Sequence, residues 1–477
     1  MIRDATPTPS STQRHLNRVR EFYDSAPVEN SAGARAYRAL LAHYYNLLIP
    51  PGASVLEIGC GSGELLASLR AARKTGVDLA PSQIAAARRR LPDARFVVAA
   101  GEEIDLGGET FDVILISDTL NLAADVQQLF TNLRRAARPD TRLIVNFQNS
   151  LWRPALTFAR WLGLKSPQPE NSWLAASDVL NLLDLADWSL VSRQNHVLVP
   201  LRLLGLEALA NRWLAPLLQW FCLTVFLVAR PARLTPHRSP TVSVVIPARN
   251  EAGNIKAAVQ RTPEMGGGTE LIFVEGHSRD HTWAEIQRVA AAFPDRKIKI
   301  LQQTGRGKGD AVRAGFAAAT GDLLMILDAD LTMPPEELPK FYDVLANGRA
   351  EFANGVRLVY PMEERAMQFL NLCANKAFSL IFTWLLGQPV KDTLCGTKVV
   401  SRAHYEKIAA GRAWFGDFDP FGDFDLLFGA AKLNLKIADV PIRYAERTYG
   451  STNIQRWSHG WLLLRMVAFA ARKLKFV

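Results

Sequence analysis

Along this chain of 477 residues, short apolar runs alternate with stretches whose apolar positions recur at helical spacing. The first half holds SVLEI, KTGVD, FVV and FDVILIS, and the second holds VSVVIP, LIFVE and MILD. Runs of this length read as buried strands, and strands that alternate with helices build parallel sheets. The pattern breaks at RPARLTPHRSP, residues 230–240, where prolines and basic residues separate one apolar strand from the next. The expected fold class is therefore α/β, with two open, mostly parallel sheets on either side of that break. No repeat of solenoid length is visible.

Three stretches are apolar enough to require a membrane test. Residues 213–229, WLAPLLQWFCLTVFLVA, contain Pro216 and Gln219, and their β-branched and aromatic residues gather in the second half. A short helix followed by a buried strand, LTVFLVA, is expected there rather than a span. Residues 367–386 place Asn371, Asn375 and Lys376 at helical spacing, which predicts an amphipathic helix in a core or an interface. Residues 454–477, IQRWSHGWLLLRMVAFAARKLKFV, carry Arg456, Arg465, Arg472, Lys473 and Lys475 and no acid. A span needs about 20 apolar residues, and Arg465 interrupts this run. Two readings stay open: a basic interfacial helix on an anionic membrane surface, or a helix docked on its own domain.

A hydrophobic content of 48% over this length supports separately cored domains, and two are expected. The cysteines, Cys60, Cys222, Cys373 and Cys395, show neither paired nor metal-ligand spacing, so no disulfide framework and no zinc site are expected. The opening residues MIRDATPTPSSTQRHLNRVREF have charges but no apolar core, which predicts neither a secretory signal nor a lipid anchor. The expected location is cytoplasmic, peripheral at the inner face of the cell membrane. A net charge of +10 suits phosphorylated small molecules or anionic lipid. No basic run with interleaved aromatics accompanies the glycine-rich motif described next, so no nucleic-acid partner is expected.

SVLEIGCGSGELLASLR reads as a strand, a turn through Gly59, Gly61 and Gly63, and a helix. Glycines there let the backbone pass close beneath a ligand. In KTGVDLAPSQIAAARRR, Asp78 ends a second strand about 20 residues on, where a carboxylate reaches ribose hydroxyls. The glycine placement ExGxGxG differs from the dinucleotide pattern GxGxxG. With FVVAAGEEIDL and FDVILISDTLNL, the series resembles class I S-adenosylmethionine-dependent methyltransferases over residues 40–230. The resemblance implies a Rossmann-like, seven-stranded sheet with a cofactor crevice at the carboxyl strand ends. It implies S-adenosylmethionine as cofactor, with Glu57, Gly59, Gly61 and Gly63 near its methionine portion and Asp78 on its ribose. Ala100, Gly101 and Glu102 stand where the family often has an acid for the adenine, and Asp118 stands where the crevice opens towards a substrate. Positioning supplies most of methyl transfer, since the sulfonium is already activated.

In the second half, VSVVIPARNEAGNIKAAVQ and LIFVEGHSRDHT are strand-to-helix passages, each ordinary alone. MILDADLTMPPEELPKF adds Asp328 and Asp330, two carboxylates leaving the end of an apolar strand together. Side-by-side negative charges are costly unless a cation joins them, and a hard divalent ion, Mg2+ or Mn2+, bridging a diphosphate meets that need. PARNE, VEGHSRDHT, GRGKGDAVRAGF, DADLTMPP, NGVRLV, DTLCGTKV, FGDFDLLFGAA and RTYGSTN together resemble family 2 glycosyltransferases of the GT-A type, over residues 241–453. Within that family the likeness is to polyprenyl-phosphate sugar synthases. It implies a second Rossmann-like sheet, Pro247, Asn250, Glu251 and Glu275 around the base and ribose, and Asp328 and Asp330 on nucleotide and metal. Lys308 meets a phosphate or is a solvated lysine in a glycine loop. Glu275 and Gly276 replace the family's paired acids, and Asn453 replaces a basic residue.

The resemblance thus implies a nucleotide-sugar donor, GDP- or UDP-hexose, and polyprenyl phosphate as acceptor, with methylation by the first domain; the alternative is a glycan hydroxyl as acceptor, with the methyltransferase-like domain a non-catalytic scaffold. A phosphate monoester, with a second pKa of roughly 6, needs cationic positioning more than a base. Arg357 and Arg447 are the candidates. Asp425 orients the acceptor, serves as base towards a hydroxyl, or is a helix N-terminal acid. The expected organisation is an extension over 1–39, a methyltransferase-like domain over 40–230, a linker over 231–240, a glycosyltransferase domain over 241–453 and a basic helix over 454–477.

Overall fold

The computed structural model describes residues 11–25, 32–161, 169, 174–200, 205–232, 239–357, 369–412, 423–445, 447, 449 and 456–476. The chain divides into two compact units, residues 1–232 and 233–477.

In the first unit, β1 (Ser54–Ile58), β2 (Arg73–Asp78), β3 (Arg95–Val98), β4 (Phe111–Ser117) and β5 (Ala137–Gln148) run parallel, followed by β6 (Trp188–His196) and β7 (Thr224–Pro231). The order is β3-β2-β1-β4-β5-β7-β6, with β7 antiparallel to both neighbours. Every residue of β1 and β7 is buried, as expected for strands covered on both faces. Leu56, Ile114, Phe130, Leu143, Trp188 and Leu227 fill one core. β1 lies between β2 and β4, so the connections diverge there and open a crevice at the carboxyl ends. The helix Ala32–Leu48 precedes the sheet and buries Tyr45 completely. The expected boundary at residue 40 falls inside it, and β7 runs one residue into the expected linker. Ahead of β7, residues 213–229 begin on the end of a helical stretch, Leu206–Leu209 continued by Ala210–Leu214, and then make a short turn, Gln219–Phe221.

In the second unit, β8 (Val242–Ala248), β9 (Thr269–Glu275), β10 (Lys297–Gln302) and β11 (Leu323–Ile326) are parallel, in order β10-β9-β8-β11. The sheet continues through β12 (Phe352–Val356), β13 (Lys398–Ser401) and β14 (Ile437–Pro441), with β13 inserted antiparallel between β11 and β12. Val244, Ile246 and Phe273 join one core; Val245, Ile272 and Phe382 join another. The helix Phe369–Leu386 buries Phe382, Leu385 and Leu386, while Asn371 and Asn375 lie outside the described side chains. The helix Arg456–Leu474 packs on it through Met466, Ala470 and Ala471, the docked arrangement of the two left open for this stretch. Lys475 is buried with its ammonium 5.9 Å from the Trp384 ring centre, and burial lowers its pKa to about 7. Among the described side chains of this stretch the exposed basic groups are thus Arg465, Arg472 and Lys473, and not Lys475, while the side chain of Arg456 lies outside them. No described helix is long and apolar enough to cross a membrane.

Candidate functional sites

After β1 the chain turns through Gly59, Gly61 and Gly63, at φ 73°, 49° and 72°, values that favour glycine. The turn is tied to β2. Gly59 and Cys60 N–H donate to the Val77 carbonyl at 2.8 and 3.0 Å, and Asp78 accepts from Gly61 N–H (2.8 Å) and Ala80 N–H (2.9 Å). A Cβ at Gly59 would fall 2.2 Å from Thr119 Oγ1, whereas one at Gly61 would meet nothing nearer than Gln83 at 3.9 Å. Gly61 therefore leaves an open cradle. Beside it, Glu57 is 2% exposed and its Oε2 has no hydrogen-bond partner among the described residues. Burial, and next the Asp78 charge, raise its pKa to about 8.

Across the crevice Asp118, at φ 51°, accepts from Asn146 Nδ2 at 2.8 Å, and the Tyr45 hydroxyl donates to Asn146 Oδ1. The Tyr37 hydroxyl lies 3.1 Å from Thr224 Oγ1. Burial, reinforced by Asp118, pushes both phenols well above their ordinary range. The helix Ser11–Ser25 reaches both walls: Asp24 accepts from Ser82 N–H (3.0 Å), the Tyr23 carbonyl from Gln83 Nε2 (3.1 Å), and His15 Nε2 pairs with the Leu122 carbonyl (2.9 Å).

In the second unit, the loops after β8 and β9 clasp one another. Arg279 N–H donates to Asn250 Oδ1 (2.8 Å), Asn250 N–H to Ser278 Oγ (3.0 Å) and Glu251 N–H to Thr282 Oγ1 (2.9 Å). Pro247 is the next-to-last residue of β8 and Glu275 the last of β9, and Glu275 accepts from Ser278 N–H. Beyond β11, Asp328 Oδ1 pairs with Lys308 Nζ at 2.6 Å. Arg447 bridges two carboxylates, Glu251 Oε1 at 2.8 Å and Asp330 Oδ2 at 2.7 Å, while Asp330 Oδ1 accepts from the Thr332 hydroxyl and N–H. Burial raises the Glu251 pKa and Arg447 opposes that rise.

Residues 56–145 match the model for a methyltransferase domain, and residues 243–408 match the model for glycosyl transferase family 2. The chain joins a methyltransferase domain to a family 2 glycosyltransferase domain. It is similar to a dolichol-phosphate mannosyltransferase of Pyrococcus furiosus, 36% identical over 45% of this chain and 59% of that protein. It is also similar to an undecaprenyl-phosphate 4-deoxy-4-formamido-L-arabinose transferase of Pseudomonas aeruginosa, 34% identical over 46% of this chain and 62% of that protein. The chain thus spans about three fifths of the length of these curated relatives. Among solved structures it is similar to an S-adenosylmethionine-dependent methyltransferase of Thermotoga maritima, 18% identical over 41% of this chain and 94% of that one, with a TM-score of 0.31.

Within the methyltransferase domain, Glu57, Gly59, Gly61, Gly63 and Asp78 come together. The Gly61 cradle and the orphaned, buried Glu57 oxygen fit a ligand carrying positive charge, as S-adenosylmethionine does. Glu102 is committed elsewhere, accepting from Ala124 N–H (2.8 Å) and Asp125 N–H (3.4 Å). Tyr37, Tyr45 and Asn146 were not singled out from sequence, because nothing in their spacing marks them; the fold brings them to Asp118.

Within the glycosyltransferase domain, Glu251, Lys308, Asp328, Asp330 and Arg447 converge. Asp328 remains 33% exposed and offers only oxygen, which fits a hard divalent cation. Both oxygens of Asp330 are already engaged. Arg357 is placed otherwise than expected: its Nε and Nη2 form a bidentate pair with Asp392 at 2.7 and 2.9 Å, and Asp392 is fully buried. Burial alone would raise Asp392, but the guanidinium holds it below the ordinary carboxylate range. Asp425 pairs with Arg412 Nε at 2.6 Å. Of RTYGSTN, Arg447 and Tyr449 are described, and Asn453 lies outside the described residues. Gly396 was passed over within DTLCGTKV, yet a Cβ there would lie 2.1 Å from Asp328 Oδ2 and 2.4 Å from Lys308 Nζ.

Proposed function

We propose that the glycosyltransferase domain moves a hexose, with inversion, from GDP- or UDP-sugar to polyprenyl phosphate, and that the methyltransferase domain uses S-adenosylmethionine to methylate a component of the same glycan pathway. The observation that carries the reading is the convergence of Lys308 on Asp328 and of Arg447 on both Asp330 and Glu251. The clasped loops around Asn250, Glu251 and Glu275 receive the base and ribose. Lys308 meets a donor phosphate. Asp328, with Asp330 beside it, would hold Mg2+ or Mn2+, which supplies charge neutralisation at the leaving diphosphate.

The acceptor phosphate is already a nucleophile at neutral pH, given its second pKa of roughly 6, so its attack needs alignment and a cation. Arg447 supplies the cation and keeps Asp330 in place. Asp425 faces Arg412 at 2.6 Å, so a guanidinium and not an acceptor hydroxyl takes up its Oδ2, which favours a phosphate over a hydroxyl acceptor. Arg357, locked to Asp392, shapes the strand end instead of touching the anomeric carbon. The polyprenyl-phosphate transferase names of the curated relatives point the same way. Arg465, Arg472 and Lys473 give the closing helix a positive face towards the anionic inner surface of the cell membrane.

The test is a panel of radiolabelled sugar nucleotides with full-length protein, Mg2+ or Mn2+ and polyprenyl phosphate, extracted into organic solvent. Label in the lipid phase is expected, lost with chelator and with Asp330→Ala. Donor hydrolysis without lipid product would overturn the acceptor. Asp425→Asn is expected to change turnover by less than about tenfold; a loss of several orders of magnitude would point to a hydroxyl acceptor and a base at Asp425.

A further inference from the structure

Most of the large apolar side chains exposed among the described residues fall in two segments of the methyltransferase domain, residues 151–161 and 206–221. Trp161 is 78% exposed and Trp220 77%, with Phe158, Trp213, Leu217 and Phe221 exposed around them. The segments are joined at the backbone: Trp152 Nε1 donates to the Phe221 carbonyl (2.8 Å), and Asn149 Nδ2 to the Trp220 and Cys222 carbonyls (3.2 and 3.1 Å). Residues 206–221 bury only Asn211, Ala215 and Pro216. Asn211 is 4% exposed and its amide is spent on the Val199 N–H and carbonyl, while tryptophans and leucines point away from the domain. The helix Arg153–Trp161 buries no residue at all. A segment that spends its buried amide on the backbone and leaves its indoles and most of its leucines outside presents an apolar patch of the kind that marks an interaction surface.

We infer that these two segments form a membrane-docking face, and that its occupant is the headgroup region of an anionic lipid bilayer. Two features select lipid over a protein partner. Indole rings beside aliphatic chains are the composition of an interfacial layer, where an amphipathic ring sits at headgroup depth. The charge within the two segments is also one-sided: Arg153, Arg160 and Arg212 are exposed, and the one acid of these segments, Glu207, is turned onto the Gly205 N–H (2.9 Å). The face is built from residues of the methyltransferase domain alone, and the helix Arg456–Leu474 contributes none of them. Lipid docking here stands independently of the sugar chemistry.

Flotation of the full chain with vesicles of phosphatidylcholine, alone or mixed with phosphatidylglycerol, tests the inference without donor or acceptor present. The parent protein is expected to float with the mixed vesicles. The triple variant Trp161→Ser, Trp220→Ser, Phe221→Ser is expected to lose about tenfold or more of its partition, with an unchanged thermal midpoint because the three side chains are exposed. A second variant, Arg153→Glu with Arg160→Glu, is expected to lose the preference for phosphatidylglycerol. A triple variant that floats as well as the parent would overturn the inference. So would a parent that ignores vesicles but forms dimers that the triple variant dissolves.

Discussion

Glu57 is buried beside Asp78, and with its pKa raised to about 8 it holds a proton at neutral pH in the cofactor-free protein. Its folded value lies above its unfolded one, so it favours the fold at acid pH and loses that contribution as pH rises through about 8. A bound cation favours the ionised form, so S-adenosylmethionine is expected to displace the proton. Calorimetry should show affinity tightening as pH rises towards about 8 and then levelling, with the dependence absent in Glu57→Gln. At the other site, Gly396→Ala places a methyl group within the Lys308–Asp328 pair. The expected result is a loss of glycosyl transfer on the order of 10²-fold, the scale of a displacement near 1 Å, with little change in thermal midpoint. The three turn glycines after β1 were legible because their φ values demand glycine. Asp78, expected on a ribose, also holds the Gly61 and Ala80 amides: spacing locates a carboxylate at a strand end but does not reveal the backbone donors that fix it there. Asp392 and Arg412, which occupy Arg357 and Asp425, come from elements that sequence order alone does not bring alongside.

Apolar runs flanked by helical patterns exposed most of the strands, since a strand covered on both faces is nearly all apolar. What they did not expose was order: β13, Lys398–Ser401, enters antiparallel between β11 and β12, and an insertion out of chain order leaves no mark in an apolar pattern. The helix Ser11–Ser25 was grouped with an N-terminal extension, yet it bonds to Ser82 and Gln83 beyond β2 and to Leu122 beyond β4. It therefore reaches the strand ends beside the proposed cofactor crevice. Removing residues 1–25 is expected to weaken S-adenosylmethionine binding by roughly tenfold, about 1.4 kcal/mol, measured by calorimetry, while glycosyl transfer persists. Equal affinity in the shortened protein would make the helix a packing element alone.

Each unit has its own seven-stranded sheet and its own apolar core. Two thermal transitions are therefore expected in scanning calorimetry. S-adenosylmethionine should raise one, and nucleoside diphosphate with Mn2+ the other, each by mass action on its own fold. A single transition moved by both ligands would mean that the two sheets unfold together. The threading of the first sheet also bears on synthesis. β6 pairs only with β7, and β7 closes the open edge of β5. Until Thr224–Pro231 has left the ribosome, the strand Trp188–His196 waits without a neighbour, and nearly half of the chain has been translated before the methyltransferase sheet is complete. A pause in translation ahead of that strand would hold two unpaired edges in the open, which is when a chaperone would matter most to this protein.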